Sequence, residues 1–231
     1  VLGLVAAVGM LVASSTPLRA SGPPAISGTI SIAPVTSQSR VPVTIGLSNV
    51  TGQFDRLVAI DNTGLRLWTS DALVRHPARM NGGGAPLIAD LDCNGRPEVV
   101  YGANVFNELG QLVNAPPDPV GTLGVNGAGQ DGSIAIAIDI DLDGTLEIVG
   151  GPTAYRYDPA GTTMSIIWQT PGIPDGYPAA GNFDDDPYPE IAITGDGTVY
   201  MLDGDTGALK WTRQIPRGGG GCNVGQVAGG P

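Results

Sequence analysis

The sequence predicts an all-β chain, a β-propeller of four-stranded antiparallel blades, and three observations carry that prediction. The first is composition: 36 glycines and 20 prolines stand among 231 residues. Both residue types interrupt helices and punctuate strands. The second is a nine-residue acidic window that occurs three times. The third is a turn leading into a strand that usually carries tryptophan, placed after each window. Two landmarks that keep their order along the chain are the mark of a repeat architecture.

The charge balance removes one class of function at once. With 22 acids against 11 basic residues and a net charge of -11, the chain has no basic face to neutralise phosphates, which excludes nucleic acid as a partner. Apolar residues make up 42% and charged ones 14%, so a packed core is expected rather than a solvated polyanion.

At the N-terminus, Val1 to Ala13 is an apolar and small-residue run followed by Ser14, Ser15, Thr16 and Pro17. A membrane span needs ~20 apolar residues, and this run is shorter. No transmembrane segment is expected. The run suits the apolar region of a secretory signal with cleavage near Ala13 or Ala20, and a buried strand or helix is the other reading. Residues 1–20 are therefore expected to be a signal-peptide remnant and residues 21–40 a Ser, Thr and Pro-rich mature N-terminus. Export implies a secreted or cell-surface protein in an oxidising, calcium-rich environment. Cys93 and Cys222 lie far apart in sequence. They are compatible with one disulfide or two free thiols.

The repeats are expected over residues 41–216. The windows are Asp90-Leu-Asp92-Cys-Asn94-Gly95-Arg96-Pro-Glu98, Asp139-Ile-Asp141-Leu-Asp143-Gly144-Thr145-Leu-Glu147 and Asn182-Phe-Asp184-Asp-Asp186-Pro187-Tyr188-Pro-Glu190. A degenerate copy is read at Leu47 to Asp55. The second landmark is Asp61 to Gly64 with Trp68, Tyr157 to Gly161 with Trp168, and Asp203 to Gly207 with Trp211. Phe106 to Gly110 is its version without Trp. Each unit reads as four short strands, with Asp, Asn and Gly at turns where positive φ is tolerated. In the last unit these are Pro178 to Gly181, Glu190 to Thr194, Thr198 to Leu202 and Ala208 to Thr212. Four blades are expected, with residues 217–231 beginning a further one and the ring incomplete.

The acidic windows contain 11 of the 22 acids. Carboxylates crowded into a tight loop repel one another, and hard oxygen donors at positions 1, 3, 5 and 9 select a cation such as calcium. The pattern begins like an EF-hand loop, but its Glu comes at position 9 rather than 12 and its flanks, Ile134 to Ile138 and Ile148 to Gly151, read as strands.

Loops of the form D-x-D-x-D-G-x-x-D/E between the first two strands of a blade resemble those of the FG-GAP or VCBS repeats of integrin-type β-propellers. The resemblance covers most of residues 41–216. It implies about three calcium (Ca2+) sites. One would use Asp139, Asp141, Asp143, the Thr145 carbonyl and Glu147. A second would use Asp90, Asp92, Asn94, the Arg96 carbonyl and Glu98. A third would use Asn182, Asp184, Asp186, the Tyr188 carbonyl and Glu190, although Pro187 stands where the loop has Gly and cannot take positive φ. Leu47 replaces the first acid in the degenerate copy, which is expected to be metal-free. Three ions would bring the net charge from -11 to -5.

Trp68, Trp168 and Trp211 occupy equivalent positions and are read as packing between blades. They also sit in tracts similar to those of quinoprotein propellers. His76 is read as part of an inter-blade loop, and Asn49-Val50-Thr51 matches a glycosylation sequon. No nucleophile elbow, P-loop or zinc-spaced His cluster occurs. The leading functional reading is a calcium-stabilised binding or adhesion module with a protein or carbohydrate ligand. The alternative is the propeller part of an extracellular enzyme, a polysaccharide lyase or a quinoprotein-like oxidoreductase, with no catalytic residues in this chain.

Overall fold

The computed structural model describes residues 26–33, 43–48, 56–73, 84–114, 121–125 and 132–216. These residues hold fifteen strands in four antiparallel sheets. The first sheet contains β1 (Ile26–Ala33), β2 (Val43–Ser48), β3 (Arg56–Ile60) and β4 (Arg66–Thr69). The second contains β5 (Leu87–Ala89), β6 (Glu98–Tyr101) and β7 (Asn104–Phe106). The third contains β8 (Ile136–Ile138), β9 (Glu147–Val149), β10 (Thr153–Asp158) and β11 (Thr163–Gln169). The fourth contains β12 (Tyr177–Gly181), β13 (Glu190–Gly195), β14 (Thr198–Asp203) and β15 (Leu209–Gln214). Every strand pairs with its neighbour in the chain, so each sheet is a meander. Among the described residues no helix is long and apolar enough to cross a membrane.

Three expectations need correction. The first sheet takes its opening strand from Ile26–Ala33, inside the stretch read as a Ser, Thr and Pro-rich mature N-terminus. That segment, ISGTISIA, alternates β-branched or apolar residues with small polar ones, which is strand patterning beneath a low-complexity composition. In consequence Leu47 to Asp55 runs from β2 toward β3, one connection later than the acidic windows, and is not their degenerate copy. The second sheet has three strands instead of four. After β7, a single bridge between Phe106 and Leu112 marks the place of the fourth among the described residues.

Alternating residues of the inner strands go to opposite faces, as the two-residue period requires. Val99, Tyr101 and Phe106 join Ile45, Leu57 and Ala59 of the first sheet in one apolar cluster. Val100 and Val105 face the other way and meet Ile148, Tyr155 and Met164 of the third sheet. Val149, Ala154 and Trp168 in turn meet Ile191, Ile193 and Leu202 of the fourth. Each sheet therefore packs face to face on the next. Burying one such side chain stabilises by ~1.5–3 kcal/mol. The first strands β1, β5, β8 and β12 also approach one another in series.

A half-buried acid joins residues 123–124 to the segment that leads into β12. Asp175, just before β12, accepts hydrogen bonds from the backbone N–H of Leu123 at 3.1 Å, of Gly124 at 3.0 Å and of Gly176 at 2.8 Å. Burial raises its pKa against those donors. Tyr155, fully buried, donates its hydroxyl to the Thr122 carbonyl at 2.6 Å and accepts from Gly121 N–H at 2.9 Å.

The tryptophans join the outer parts of adjacent sheets. Trp68 on β4 donates its indole N–H to the Glu108 carbonyl at 3.1 Å, in the turn that follows β7. Trp168 on β11 donates to the Gly204 carbonyl at 2.9 Å, in the turn between β14 and β15. In both turns the ring lies against a glycine of positive φ. A Cβ on Gly110 or on Gly207 would stand 2.6 Å from the nearest atom of Trp68 or Trp168. Thr170 Oγ1 adds a bond to the Gly207 carbonyl at 2.6 Å. Trp211, on the fourth strand of the last sheet, is 41% exposed against 8% for Trp168.

These contacts give a test. Gly207 (φ 71) and Gly172 (φ 78) share the left-handed conformation, but nothing lies within 4 Å of a Cβ on Gly172. Gly172→Val should cost only backbone strain of ~1–3 kcal/mol. Gly207→Val should cost about 1–3 kcal/mol more, from collision with the indole. Urea unfolding of both variants measures the difference, and equal losses would show that Gly207 does not serve the Trp168 contact.

Candidate metal centres

Each acidic window is the connection between the first and second strands of its sheet. Its register is the same three times: Ala89 pairs with Glu98, Ile138 with Glu147 and Gly181 with Glu190. The ninth residue of the window is thus the first residue of β6, β9 or β13. All three glutamates are buried, at 5%, 0% and 1% exposure.

A buried carboxylate must be hydrogen-bonded. In every window Oε2 of the glutamate accepts from the backbone N–H of the second window residue. Leu91 donates to Glu98 at 2.9 Å, Ile140 to Glu147 at 3.1 Å and Phe183 to Glu190 at 2.5 Å. That bond folds the loop back over its own base. It leaves Oε1 as the glutamate oxygen available to the aspartates.

The aspartates converge by a second set of local bonds. Asp90 accepts from Asn94 N–H at 3.0 Å and Gly95 N–H at 2.9 Å, and Asp139 accepts from Asp143 at 3.0 Å and Gly144 at 2.9 Å. Position 3 also accepts from position 5: Asn94 N–H to Asp92 at 3.1 Å, Asp143 to Asp141 at 3.3 Å and Asp186 to Asp184 at 3.0 Å. Gly144 (φ 93) and Leu142 (φ 61) supply the sharp bend, as Gly95 (φ 84) and Cys93 (φ 56) do in the preceding window. The outcome is three acidic groups with ligand oxygens within 4.8 Å of one another: Asp90, Asp92 and Glu98; Asp139, Asp141 and Glu147; Asp184, Asp186 and Glu190.

In all three windows a side-chain oxygen of position 5 also accepts from the backbone N–H of position 7. Asn94 Oδ1 accepts from Arg96 N–H at 2.8 Å, while Asp143 Oδ1 accepts from the N–H and hydroxyl of Thr145 at 2.8 and 2.5 Å. These side chains close the turn onto position 7, which leaves Asp143 Oδ2 toward the cluster. In the Pro187 window, Asn182 donates its amide to the Asp186 carbonyl at 2.8 Å and Tyr188 N–H bonds Asp186 at 2.9 Å. The bend is made without a glycine, and the group there is drawn from positions 3, 5 and 9.

Two basic side chains escaped the sequence reading. Arg156 of β10 places Nη2 2.6 Å from Asp141, 2.8 Å from Glu147 Oε1 and 3.4 Å from Asp143. Lys210 of β15 places Nζ 2.7 Å from Glu190 Oε1, 3.3 Å from Asp186 and 3.6 Å from Asp203, and also bonds Asp184. Arg156 follows the last residue of its window by 9 positions and Lys210 by 20. Their alternation on a strand was the available signal, since only pairing registers say which loop they face. Arg96, inside the first window, turns instead to Glu108 at 2.9 Å.

The charges respond accordingly. The hydrogen bonds that Arg156 donates to Glu147 and then Asp141 raise its pKa, and those that Lys210 donates to Asp184 and Glu190 raise its own. The Lys210 bond lowers Asp184, and the Thr145 hydroxyl lowers Asp143. Burial raises Glu147 in spite of Arg156. Glu98 is pushed by burial, with Asp92 and Asp90 adding repulsion, up to about 7. Tyr157, from the next sheet, is raised to about 12 by burial and by the charges of Glu98 and Asp92.

The donor set fits a hard divalent cation: carboxylate oxygens only, convergent, with one member held in place by a backbone N–H. Cys93 is exposed, its Sγ 3.7 Å from the Gly144 carbonyl. Cys222, His76, the sequon and the apolar N-terminal run lie outside the described residues.

The chain matches no protein-family model and no curated protein sequence. Among solved structures it is similar to the biofilm matrix protein Bap1 of V. cholerae, at 18% identity and TM-score 0.45 over 86% of this chain and 41% of that one. It is similar to the exotype rhamnogalacturonan lyase YesX, at 18% identity and TM-score 0.47 over 74% and 29%. It is also similar to BBS1N, solved in complex with ARL6DN, at 16% identity and TM-score 0.46 over 83% and 58%. The chain spans less than two thirds of the length of each.

The raised pKa of Glu98 sets a pH dependence for the metal-free protein. Unfolded Glu98 ionises near 4.5 but the folded group only near 7. Below 4.5 it carries no penalty, and stability falls as pH rises from there through about 7. With solvent screening the loss is on the order of 1–2 kcal/mol. Urea midpoints at pH 5 and pH 8 in chelator should show it, and Glu98→Gln should remove most of it. A wild-type midpoint that rises across this window would contradict the assignment.

Proposed function

We propose that this chain is a secreted or surface-attached β-propeller module, stabilised by calcium, that serves binding or adhesion. The observation that carries the reading is the recurrence of one acidic triad at the same corner of three successive sheets, each anchored by a buried glutamate. A catalytic triad occurs once. Three ion sites at the same place in successive repeats serve the repeat itself.

The blade arrangement is supported by the serial approach of the first strands, by face-to-face packing of consecutive sheets and by the tryptophan that ties a fourth strand to the next sheet's turn. Calcium is favoured among divalent ions because the donors are hard oxygens in loops that adjust, whereas magnesium demands a near-octahedral cage. Extracellular modules bind calcium at ~0.1–1 mM. At millimolar calcium a site at the tight end of that range stabilises by about 1.4 kcal/mol. Such sites are filled outside cells and empty in the cytosol, which accords with the apolar N-terminal run. The net charge of -11 is also reduced by each ion bound.

The partner would be a protein or carbohydrate held by loops at one end of the ring, since propellers bind there and function resides in such sites rather than in the fold. Calcium's role is to hold those loops in shape.

Removing calcium from the purified chain with EGTA should lower its melting temperature by at least ~3 °C, at 2–4 °C per kcal/mol for a chain of this size. Readdition of calcium should restore it and magnesium should not. Asp92→Asn should shrink the difference. An identical melt with and without chelator would remove the structural role of the ion.

A further inference from the structure

The three triads are alike in their acids and unlike in what faces them. In the third and fourth sheets the free glutamate oxygen, Oε1, is already engaged: Glu147 by Arg156 and Glu190 by Lys210. In the second sheet no basic side chain among the described residues reaches Asp90, Asp92 or Glu98, and Arg96 pairs elsewhere.

The two cations are not copies of one repeat position. Arg156 comes from the third strand of its sheet and Lys210 from the fourth. The residue paired with Glu190 on β14 is Asp203, and Lys210 reaches over to it. The chain contains one lysine in 231 residues, and that lysine sits in an acidic loop. Each of these basic groups also has a fourth carboxylate within reach, Asp143 of the loop in one case and Asp203 of β14 in the other. The loops with the strongest self-repulsion are those supplied with a tethered positive charge.

We infer that Arg156 and Lys210 are built-in counter-cations that hold their loops closed in the metal-free protein and compete with the ion for the same oxygens, so that the Asp90, Asp92 and Glu98 loop is the tightest calcium site. This rests on the calcium reading above and adds a ranking to it. Each basic group contacts the oxygens a divalent ion must use, so the ion can enter only as the guanidinium or ammonium withdraws. Like charges at that separation also disfavour simultaneous occupancy. Among the described residues the Asp90 loop has neither obstacle.

Calcium titration by calorimetry on the whole chain, with wild type, Arg156→Met and Lys210→Met, tests this. Methionine keeps most of the length and apolar stem and removes the charge. The wild type should bind one ion at least about tenfold more tightly than any other, and Asp92→Asn should abolish that ion. Each Met variant should tighten one additional ion by about tenfold or more. It should also melt lower than wild type in EGTA and recover in calcium. Lys210 lies on an exposed strand, so its variant remains informative if Arg156→Met fails to fold. Three ions of equal affinity, unmoved by either substitution, would overturn the inference and leave the calcium reading standing. No calcium uptake by any of the chains would overturn both.

Discussion

A buried carboxylate that accepts a backbone hydrogen bond from its own loop is the constraint on which this structure turns. Glu98, Glu147 and Glu190 each open a second strand, each is buried, and each receives the N–H of the second loop residue. Burial without that bond would be prohibitive. With it, the loop is drawn over the strand end, the aspartates at its start are brought to the same place, and negative charge accumulates in a volume that needs a cation. The local fold and the candidate chemistry have one cause.

The charge problem is answered in two ways within one chain. Arg156 and Lys210 bring a positive group from a neighbouring strand to two of the loops, while at Glu98 burial and repulsion raise the carboxyl pKa to about 7. A buried acid with like charges beside it shows a raised pKa, because desolvation and repulsion both favour its neutral form. The same loop geometry therefore sits in two electrostatic settings, which a description by loop motif alone does not separate.

Between sheets the logic is apolar and steric. Consecutive sheets share three clusters because strand alternation sends adjacent residues to opposite faces, as with Val99 and Val100 or Ile148 and Val149. The outer ends are joined by an indole resting on a glycine that has no side chain to obstruct it. That contact needs the left-handed turn and the ring together. It joins the first sheet to the second and the third to the fourth.

Much of this was legible in the residues. The acidic spacing located the loops and their flanking strands, because carboxylates crowded into a nine-residue window require a tight connection, and the Asx and Gly turns located the outer hairpins. The opening strand at Ile26–Ala33 was hidden by its Ser and Gly content, and the fourth strand of the second sheet shrinks to a single bridge at Leu112. Sequence by itself determined that the chain is β-structured, repeated and acidic at its corners, since period, turn chemistry and charge are local properties. Only tertiary structure decided which corners meet a basic side chain and which indole meets which glycine. Those pairings join residues that are remote along the chain, and strand register rather than local preference sets them side by side.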